Sequence, residues 1–488
     1  MNFKRVVNTF FNFFNFFSAG AQYAQYLRSD GGEILYYSTD RRVSVYAENI
    51  TKERIVQIKK SAARVKSALV TRIKQARAPR AVNAAITAVK GGVTAAQGFR
   101  AAGVKAGIKA SKKPDLAVVT SDRPASAAGT FTRNAIRASS VTRCENILPA
   151  SGIRAILCNS GCANACTGKQ GVKDTEATAA MAAKALGVTP KSVLTASTGV
   201  IGKFLPMDKI AAAMPNLIKT LSPIGGSAFS GAIMTTDLAK KESAVKVACG
   251  KQSFTIGGTV KGSGMIHPNM ATMLCFITTD AAVTPAVLNG ILKRVIDKTF
   301  NNLTVDGDTS TNDMVLVMAN GASGVEIKGG VTADKGLQNA FEEGLFAVCN
   351  DLCKQIAADG EGATKRVEIN VTGARNEAEA KAAAKAVAAS NLTKCAIFGN
   401  DPNWGRIACA VGYSGAKFSE IRMSIKLCGI EVFRNLQPVK FDEKKAHTLM
   451  KKKVVVIDID LGVGNKAATA HTCDFSYDYV KINAEYRT

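Results

Sequence analysis

Residues Lys261–Asp280 read KGSGMIHPNMATMLCFITTD. The segment combines a glycine-rich bend, the pair Pro268–Asn269 and an apolar run, Met273–Thr279, that is typical of a buried strand. Thr272 therefore follows a tight turn and precedes a buried strand, and such a turn can strain the peptide bond in front of a hydroxyl residue. The pattern suits an attack of the Thr272 hydroxyl on the carbonyl carbon of Ala271, which gives an ester that water then cleaves.

A threonine that becomes N-terminal carries a nucleophile and a base on one residue. The free α-amine of Thr272 would have a pKa near ~8, so it can accept the hydroxyl proton at neutral pH. This chemistry fits a chain with only three histidines, of which we expect His267 to pack in the turn and His447 and His471 to lie at the surface. From the residues alone, however, a strand-start threonine with a local hydrogen bond is the preferred interpretation, because threonine is common there.

The chain as a whole has the composition of a globular protein. Its 488 residues are 47% hydrophobic and 21% charged, enough for two or three domains with cores. Strands are predicted at Leu116–Thr120, Ala155–Cys158, Val245–Ile256 (a pair around Gly250), Met314–Ala319, Arg366–Val371, Ile421–Ile425 and Val454–Ile459. Helices are predicted at Asp174–Leu186, Met207–Leu221 (broken or kinked at Pro215), Ala282–Thr299, Lys335–Lys354 and Glu377–Leu392. Their alternation predicts a mixed α/β protein built in layers.

Residues 1–84 are predicted to be a targeting leader. No acidic residue occurs from Arg54 to Pro114, and an acid-free segment rich in Arg, Ala and Ser is typical of an organelle transit peptide. The aromatic run Phe10–Phe17 follows two basic residues and resembles a secretory signal, which indicates a two-part address. We expect the mitochondrial matrix as the destination, with the plastid as the alternative. A basic, solvated helix of the mature protein remains an equally economical interpretation of residues 54–80.

The net charge of +26 raises nucleic acid as a partner, but much of the excess lies in the leader and aromatic residues are only 6%. We therefore expect no nucleic-acid partner. No membrane span is expected either, since the most apolar early segment, Val6–Leu27, contains Asn and Gln.

The twelve cysteines form no paired CxxC framework, so they are expected to be buried thiols without a metal. The acidic segment Thr304–Asp313, TVDGDTSTND, lacks the trailing Glu of a calcium loop and is interpreted as a polar turn near the site.

Lys261–Asp280 resembles the cleavage-site signature of the ornithine acetyltransferase / glutamate N-acetyltransferase family of arginine biosynthesis. The resemblance extends over roughly residues 87–488 and includes further segments in family order. These are GGVTAAQGFRAAGVKAGIKASKKP (Gly91–Pro114), NSGCANACTG (Asn159–Gly168), STGVIGKFLPMDKI (Ser197–Ile210), AIMTTD (Ala232–Asp237), TVDGDTSTND, GEGATK (Gly360–Lys365), GNDPNWGRI (Gly399–Ile407) and INAEYRT (Ile482–Thr488). So many ordered matches make a chance similarity untenable.

The resemblance implies an N-terminal-nucleophile type of fold, a layered sandwich of sheets covered by helices, with a smaller C-terminal α/β domain. It implies self-cleavage between Ala271 and Thr272, which gives an α chain of residues 85–271 and a β chain of residues 272–488. Two such αβ pairs are expected to form a heterotetramer. Thr272 would take the acetyl group from N2-acetylornithine and transfer it to glutamate, without a cofactor.

The resemblance also implies the site residues. Thr198 and Gly199 match the family's oxyanion hole. The substrate-binding positions of the family fall on Thr235, Lys261, Thr272, Glu361, Asn483 and Thr488. Lys261 suits a carboxylate and Glu361 an ammonium, although both would be taken for solvated surface charges without the resemblance. Thr236 is the alternative to Thr235.

Two questions remain open at the level of the sequence. A self-processed aminopeptidase or amidase would share the cleavage chemistry and the oxyanion turn, but it would not need Lys261, Glu361 or the terminal INAEYRT. Acetyl-CoA is a further acetyl donor that some members of the family use, and no residue of this sequence decides whether this chain uses it.

Overall fold

The computed structural model describes residues 84–267, 273–330 and 334–485. It also describes two short strands near the N-terminus, β1 (Leu27–Arg28) and β2 (Ile34–Leu35), which pair antiparallel. The chain divides into two compact units, residues 1–80 and 81–488. Most of the predicted leader lies outside the described residues. Three predicted site residues, Ala271, Thr272 and Thr488, also lie outside them.

The larger unit is built on a nine-stranded sheet. Its strands are β3 (Ala85–Ala88), β4 (Phe99–Val104), β5 (Leu116–Phe131), β6 (Ala150–Cys162), β7 (Val193–Val200), β8 (Lys241–Cys249), β9 (Gln252–Lys261), β10 (Leu274–Thr279) and β12 (Met314–Ala319). The strand order is β3-β8-β9-β10-β12-β5-β6-β7, and β4 pairs with β5. A separate two-stranded parallel sheet is formed by β11 (Ala282–Val283) and β13 (Glu326–Ile327), which precede and follow β12 in the sequence.

The long strand β5 joins two halves of this sheet. Its first part, from Leu116 to Ser121, pairs with β4, and residues 116–120 also pair with β6. Its second part, from Ser126 to Phe131, pairs with β12. The register of the β5–β6 pairing shifts in between, from Thr120 to Ala125, which marks a bulge or irregularity in the ladder. One continuous strand therefore links the two halves of the sheet.

Helices cover both outer faces and also fill the space between the halves. The helices of this part are α1 (Ser139–Ile147), α2 (Gly168–Leu186), α3 (Met207–Lys219), α4 (Gly226–Ile233), α5 (Pro285–Lys298) and α6 (Lys335–Ala358). Helices α2 and α3 pack on the β6–β7 half, and α5 and α6 pack on the β8–β9–β10 half. The middle core joins strands of both halves to α1 and α4, where Phe229 packs edge-on against Phe276 with ring centroids 5.3 Å apart. The predicted mixed α/β sandwich is confirmed.

A smaller six-stranded sheet follows, in the order β17-β16-β15-β18-β14-β19. Its strands are β14 (Arg366–Ala374), β15 (Ser424–Leu427), β16 (Ile430–Arg434), β17 (Gln437–Pro438), β18 (Val454–Asp460) and β19 (Lys466–Cys473). Its helices are α7 (Glu377–Ala389), α8 (Asn391–Phe398), α9 (Trp404–Tyr413), α10 (Glu443–Met450) and α11 (Tyr477–Glu485). This sheet has its own hydrophobic core, which confirms the smaller C-terminal α/β region.

Several element boundaries differ from the predictions. The helix predicted to start at Ala282 begins at Pro285, because residues 282–283 form a strand first and proline favours the first helical turn. Pro215 lies inside a single assigned helix rather than between two helices. The helix predicted to end at Leu392 ends at Ala389, and Ser390 then caps a new helix.

The prediction for His471 was wrong. It is 2% exposed and lies within β19, where its Nε2 contacts Asn350 Oδ1 at 3.1 Å. Burial lowers the pKa of His471 to about 4, so the imidazole is neutral at physiological pH. The polar residues around His471 suggested a surface position, but the second half of β19 is buried.

Within the described residues, no helix has the length and apolar character that a membrane crossing requires.

Candidate active site

Strands β6 and β7 run parallel and end side by side, and Thr198 and Gly199 lie near the end of β7. We call this pair of residues the oxyanion turn, after the role predicted for it. Gly199 has a φ of +126°, and a Cβ at this position would lie 2.4 Å from the carbonyl carbon of Gly161. Only glycine fits, because the two backbones approach too closely for any side chain. Thr198, 8% exposed, stands directly before Gly199. The local geometry therefore presents a hydroxyl and a backbone N–H on adjacent residues.

Lys261 connects this turn to the other half of the sheet. Its Nζ donates a hydrogen bond to Thr198 Oγ1 at 3.2 Å. Lys261 is the last residue of β9 and pairs in register with Leu274, the first residue of β10. Leu274 follows Thr272 by two residues in the sequence. The structure thus brings two of the predicted residues, Thr198 and Lys261, into contact at the strand that follows the predicted nucleophile.

A buried ion-pair network supports the segment next to Lys261. Asp237 Oδ1 accepts hydrogen bonds from Lys241 Nζ at 2.6 Å and from the backbone N–H of Gly262 at 2.7 Å. Lys241 Nζ also contacts Asp359 Oδ2 at 2.5 Å. Burial alone would raise the pKa of Asp237, but the charges of Lys241 and Lys261 outweigh it and lower the pKa to about 2. Asp237 is therefore ionised and fixes the backbone just after Lys261.

The network also distinguishes the two candidate threonines. Thr235 donates its backbone N–H to Asp237 Oδ2 at 3.0 Å. The hydroxyl of Thr236 instead shares a hydrogen bond with Ser263 Oγ at 2.7 Å. Thr236 therefore uses its hydroxyl to hold the glycine-rich bend in place. Thr235 is the better candidate for a substrate contact.

Glu361 and Asn483 meet on the far side of the glycine-rich bend. Glu361 is 8% exposed, and its backbone N–H donates to the Ser263 carbonyl at 2.8 Å. Asn483, on α11, donates from Nδ2 to Glu361 Oε2 at 2.9 Å. A Cβ on Gly264 would lie 2.2 Å from the same Glu361 oxygen, so glycine is required for this carboxylate to pack there. The resemblance identified a buried carboxylate that the residues alone suggested was a surface charge.

The predicted polar turn, residues 304–313, holds the segment that leads to the predicted cleavage site. Asp306 accepts hydrogen bonds from the backbone N–H groups of Met265 at 2.6 Å and Ile266 at 2.9 Å. Thr309 Oγ1 donates to the carbonyl of His267 at 2.9 Å, and His267 Nδ1 contacts Thr304 Oγ1 at 3.0 Å. Burial lowers the pKa of His267, and the ring packs in the turn as predicted.

Asn312 was missed by the sequence reasoning. Its Nδ2 donates to the carbonyl of Ser197 at 2.8 Å and to that of Ala163 at 2.6 Å. The amide therefore bridges the ends of β6 and β7 at the residue before Thr198 and fixes the oxyanion turn. The polar composition of the turn was the available signal, but it did not single out this residue.

Lys109 was also missed. It lies in the loop between β4 and β5, and its Nζ donates to the Pro114 carbonyl at 2.7 Å. A Cβ on Gly161, the partner of Gly199, would lie 2.9 Å from Lys109 Cγ, so the lysine stem lies against the backbone that pairs with the oxyanion turn. Burial is the main reason that the pKa of Lys109 is lowered to about 8.

The arrangement brings together the predicted oxyanion turn, the Lys261 cation beside it and the buried Glu361 carboxylate at the glycine-rich bend. The family model of ArgJ matches residues 100–488. The chain belongs to the ArgJ family. The family predicted from the sequence resemblance is confirmed. Among the described residues, no cluster of three side chains suited to bind a metal ion occurs.

The sequence similarity between this chain and its relatives covers most of the length of each relative. An arginine biosynthesis bifunctional protein from Thermosynechococcus vestitus is 49% identical over 416 residues, which are 82% of this chain and 99% of that protein. One from Sorghum bicolor, named as chloroplastic, is 47% identical and matches 82% of this chain and 88% of its own. A solved ArgJ structure from Bacillus halodurans is 44% identical, covers 43% of this chain and 97% of its own, and has a TM-score of 0.41.

Proposed function

We propose that the chain is an acetyltransferase that moves the acetyl group of N2-acetylornithine to glutamate in arginine biosynthesis, through an acetyl ester on Thr272. The observation that carries the proposal is the hydrogen bond from Lys261 Nζ to Thr198 Oγ1 at 3.2 Å. This contact places Lys261, the proposed partner of a substrate carboxylate, beside Thr198, the proposed hydrogen-bond donor to the acetyl oxygen. Lys261 also pairs with Leu274, in the strand that follows Thr272. Membership of the ArgJ family, whose relatives are named arginine biosynthesis bifunctional proteins, supports the pathway.

In the first half-reaction, the α-amine of processed Thr272 accepts the hydroxyl proton while Oγ attacks the acetyl carbonyl carbon. The charge that develops on the acetyl oxygen is stabilised by the Thr198 hydroxyl and the Gly199 N–H. The C–N bond then breaks, the proton passes from the α-amine to the leaving nitrogen, and ornithine departs. The acetyl group remains as an ester on Thr272.

The second half-reaction reverses these steps with a different amine. The α-amine of glutamate attacks the ester carbonyl, and the same oxyanion turn stabilises the intermediate. The C–O bond to Thr272 breaks, and the threonine oxygen regains the proton that the attacking nitrogen loses. N-acetylglutamate leaves and the enzyme is restored.

Charge complementarity supports this pair of substrates. Lys261 has N–H donors beyond the one given to Thr198, and these suit the α-carboxylate of either amino acid. Glu361, fixed by Asn483, suits the side-chain ammonium of ornithine. We place Thr235 and the carboxyl-terminal Thr488 in the same substrate site.

Incubation of the purified protein with N2-acetylornithine and glutamate tests the proposal. We expect ornithine and N-acetylglutamate in equal amounts, and a tryptic peptide that begins with acetylated Thr272 when glutamate is omitted. Free acetate without N-acetylglutamate would identify an aminopeptidase or amidase instead. A parallel reaction with acetyl-CoA and glutamate decides whether the same site accepts a second acetyl donor.

Assembly and location belong to the same proposal. We place the chain, after cleavage, in a heterotetramer of two αβ pairs, which analytical ultracentrifugation of the mature protein tests. We assign residues 1–84 to import into an organelle, with the mitochondrial matrix as the sequence-based expectation. The relative named as chloroplastic favours the plastid alternative. A fluorescent fusion of residues 1–90 separates the two, and a cytosolic fusion would contradict both.

A further inference from the structure

The side chains of the two substrates of the proposed reaction carry opposite charges, so one site must bind both an ammonium and a carboxylate. In N2-acetylornithine and in the product N-acetylglutamate the acetyl group is on the α-nitrogen, so the α-carboxylates of the two amino acids superpose when the acetyl carbon faces the nucleophile. Beyond this point ornithine ends in an ammonium and glutamate in a carboxylate. Glu361 stabilises the first and repels the second. With Lys261 assigned to the α-carboxylate, glutamate requires another cation close to the oxyanion turn.

The lysines near this turn differ in what already compensates their charge. Lys241 is paired with both Asp237, at 2.6 Å, and Asp359, at 2.5 Å. Lys203 is exposed to solvent. Lys109 donates to backbone carbonyls, of Pro114 at 2.7 Å and of Ala232 at 3.5 Å, and the charges of Asp115 and Asp237 raise its pKa less than burial lowers it.

The loop that carries Lys109 is fixed before any ligand binds. Asp115 accepts hydrogen bonds from the backbone N–H groups of Ile108 at 2.6 Å and Lys109 at 2.9 Å. The stem of Lys109 lies against Gly161, and Ala232 lies three residues before Thr235 in the chain. An ammonium has three N–H donors, and the described contacts of Lys109 use only some of them. A further donor is available to a ligand beside the oxyanion turn.

Resting on the proposed function, we propose that Lys109 binds the side-chain carboxylate of the acceptor glutamate and thereby selects the second substrate of the reaction. Electrostatics agree with the geometry. Lys261 is close enough for the two positive charges to repel each other, and a dicarboxylate bound to both lysines relieves this repulsion. Acetylornithine has one carboxylate, so it gains less from Lys109.

Replacement of Lys109 by methionine tests the assignment, because methionine keeps the apolar stem and removes the ammonium. The half-reactions are measured separately, as the burst of ornithine from N2-acetylornithine and as the decay of preformed acetyl-enzyme with glutamate or its neutral isostere glutamine. Loss of a charged hydrogen bond raises the KM for glutamate by about tenfold or more. The ornithine burst changes far less, and the preference for glutamate over glutamine falls by the same factor as the KM rises.

Lys203→Met is the matched control, since it removes an exposed positive charge near the same turn. Lys109→Arg restores part of the preference for glutamate if charge is what matters. Self-cleavage on a denaturing gel reports whether each variant folds. If wild type transfers acetyl groups and Lys109→Met keeps the wild-type preference, the assignment of Lys109 is overturned while the proposed function stands. If wild type forms no acetyl-enzyme from N2-acetylornithine, both fail.

A pH series gives an independent readout. The charged and titratable groups around Lys109 are Asp115, Cys158, Lys261 and Asp237, and the pKa of Lys109 is lowered to about 8, chiefly by burial. The protonated lysine binds a carboxylate, so the preference for glutamate over glutamine decreases as the pH rises above about 8. The reactions with glutamate and with glutamine both depend on the Thr272 amine, so the ratio of their rates does not change when that amine titrates. A preference that is flat with pH in wild type contradicts the assignment.

Discussion

Replacement of Thr198 by valine tests the oxyanion turn, because it removes the hydroxyl and keeps the shape of the side chain. The hydroxyl accepts a hydrogen bond from Lys261 Nζ at 3.2 Å and, in the proposed mechanism, donates to the acetyl oxygen. Loss of one such donor lowers the rate of the chemical step by about 10²–10³, equal to about 3–4 kcal/mol of transition-state stabilisation. The hydrogen bond with Lys261 contributes only about 1 kcal/mol to folding, so the variant should fold.

The assay is the burst of ornithine in rapid-quench experiments at saturating N2-acetylornithine, which isolates acetyl-enzyme formation from later steps. Thr198→Ser is the control, since it keeps the hydroxyl and should retain most of the rate. Thermal melting of both variants excludes a general loss of structure. A burst in Thr198→Val that is within a few-fold of wild type would refute the role of this hydroxyl.

Three further changes test other parts of the account. Thr272→Ala should remain uncut on a denaturing gel and inactive, and activity in this variant would remove the nucleophile from the scheme. Glu361→Gln should raise the KM for N2-acetylornithine by about tenfold while self-cleavage continues, and an equal loss of both would indicate a structural role. Asp237→Asn should lower the free energy of unfolding by about 3 kcal/mol at neutral pH, because it breaks a buried pair with Lys241. The folded pKa of Asp237, about 2, lies below its unfolded value of about 4, so its contribution is present above pH ~4 and is lost as the pH falls through ~2. A difference in unfolding free energy between wild type and Asp237→Asn that does not narrow over that interval would contradict this assignment.

The sequence predicted the elements whose pattern is local. The strand Met314–Ala319 was placed with both boundaries right because a run of six buried apolar residues follows a polar turn. Helix α2 was extended N-terminally in the structure, but its end at Leu186 was predicted, since Gly187 takes the left-handed conformation with a φ of +67°.

Features that depend on distant parts of the chain could not be predicted from periodicity. Strand β5 was expected to end at Thr120, because Asp122, Arg123 and Pro124 interrupt its apolar pattern. In the structure it continues to Phe131, since its second part pairs with a strand nearly 200 residues later in the chain.

The residues of the candidate site also fall into a group that was predicted and a group that was missed. Lys261, Glu361 and Asn483 were predicted through family resemblance. In the structure Lys261 contacts Thr198, and Asn483 contacts Glu361. Asn312 and Lys109 were missed because they contact backbone carbonyls of residues 197 and 232, far away in the sequence. A motif identifies a residue type and a spacing, but it does not report which distant carbonyl a side chain meets.

Amino-terminal sequencing of the fragments in the mature, active protein tests the central claim most directly. The account predicts a smaller fragment that begins Thr-Met-Leu-Cys, with Thr272 as the free N-terminal residue. The same preparation should form the acetyl-enzyme in proportion to the fraction of cleaved chain. Full transferase activity in an intact, uncleaved polypeptide would contradict the account.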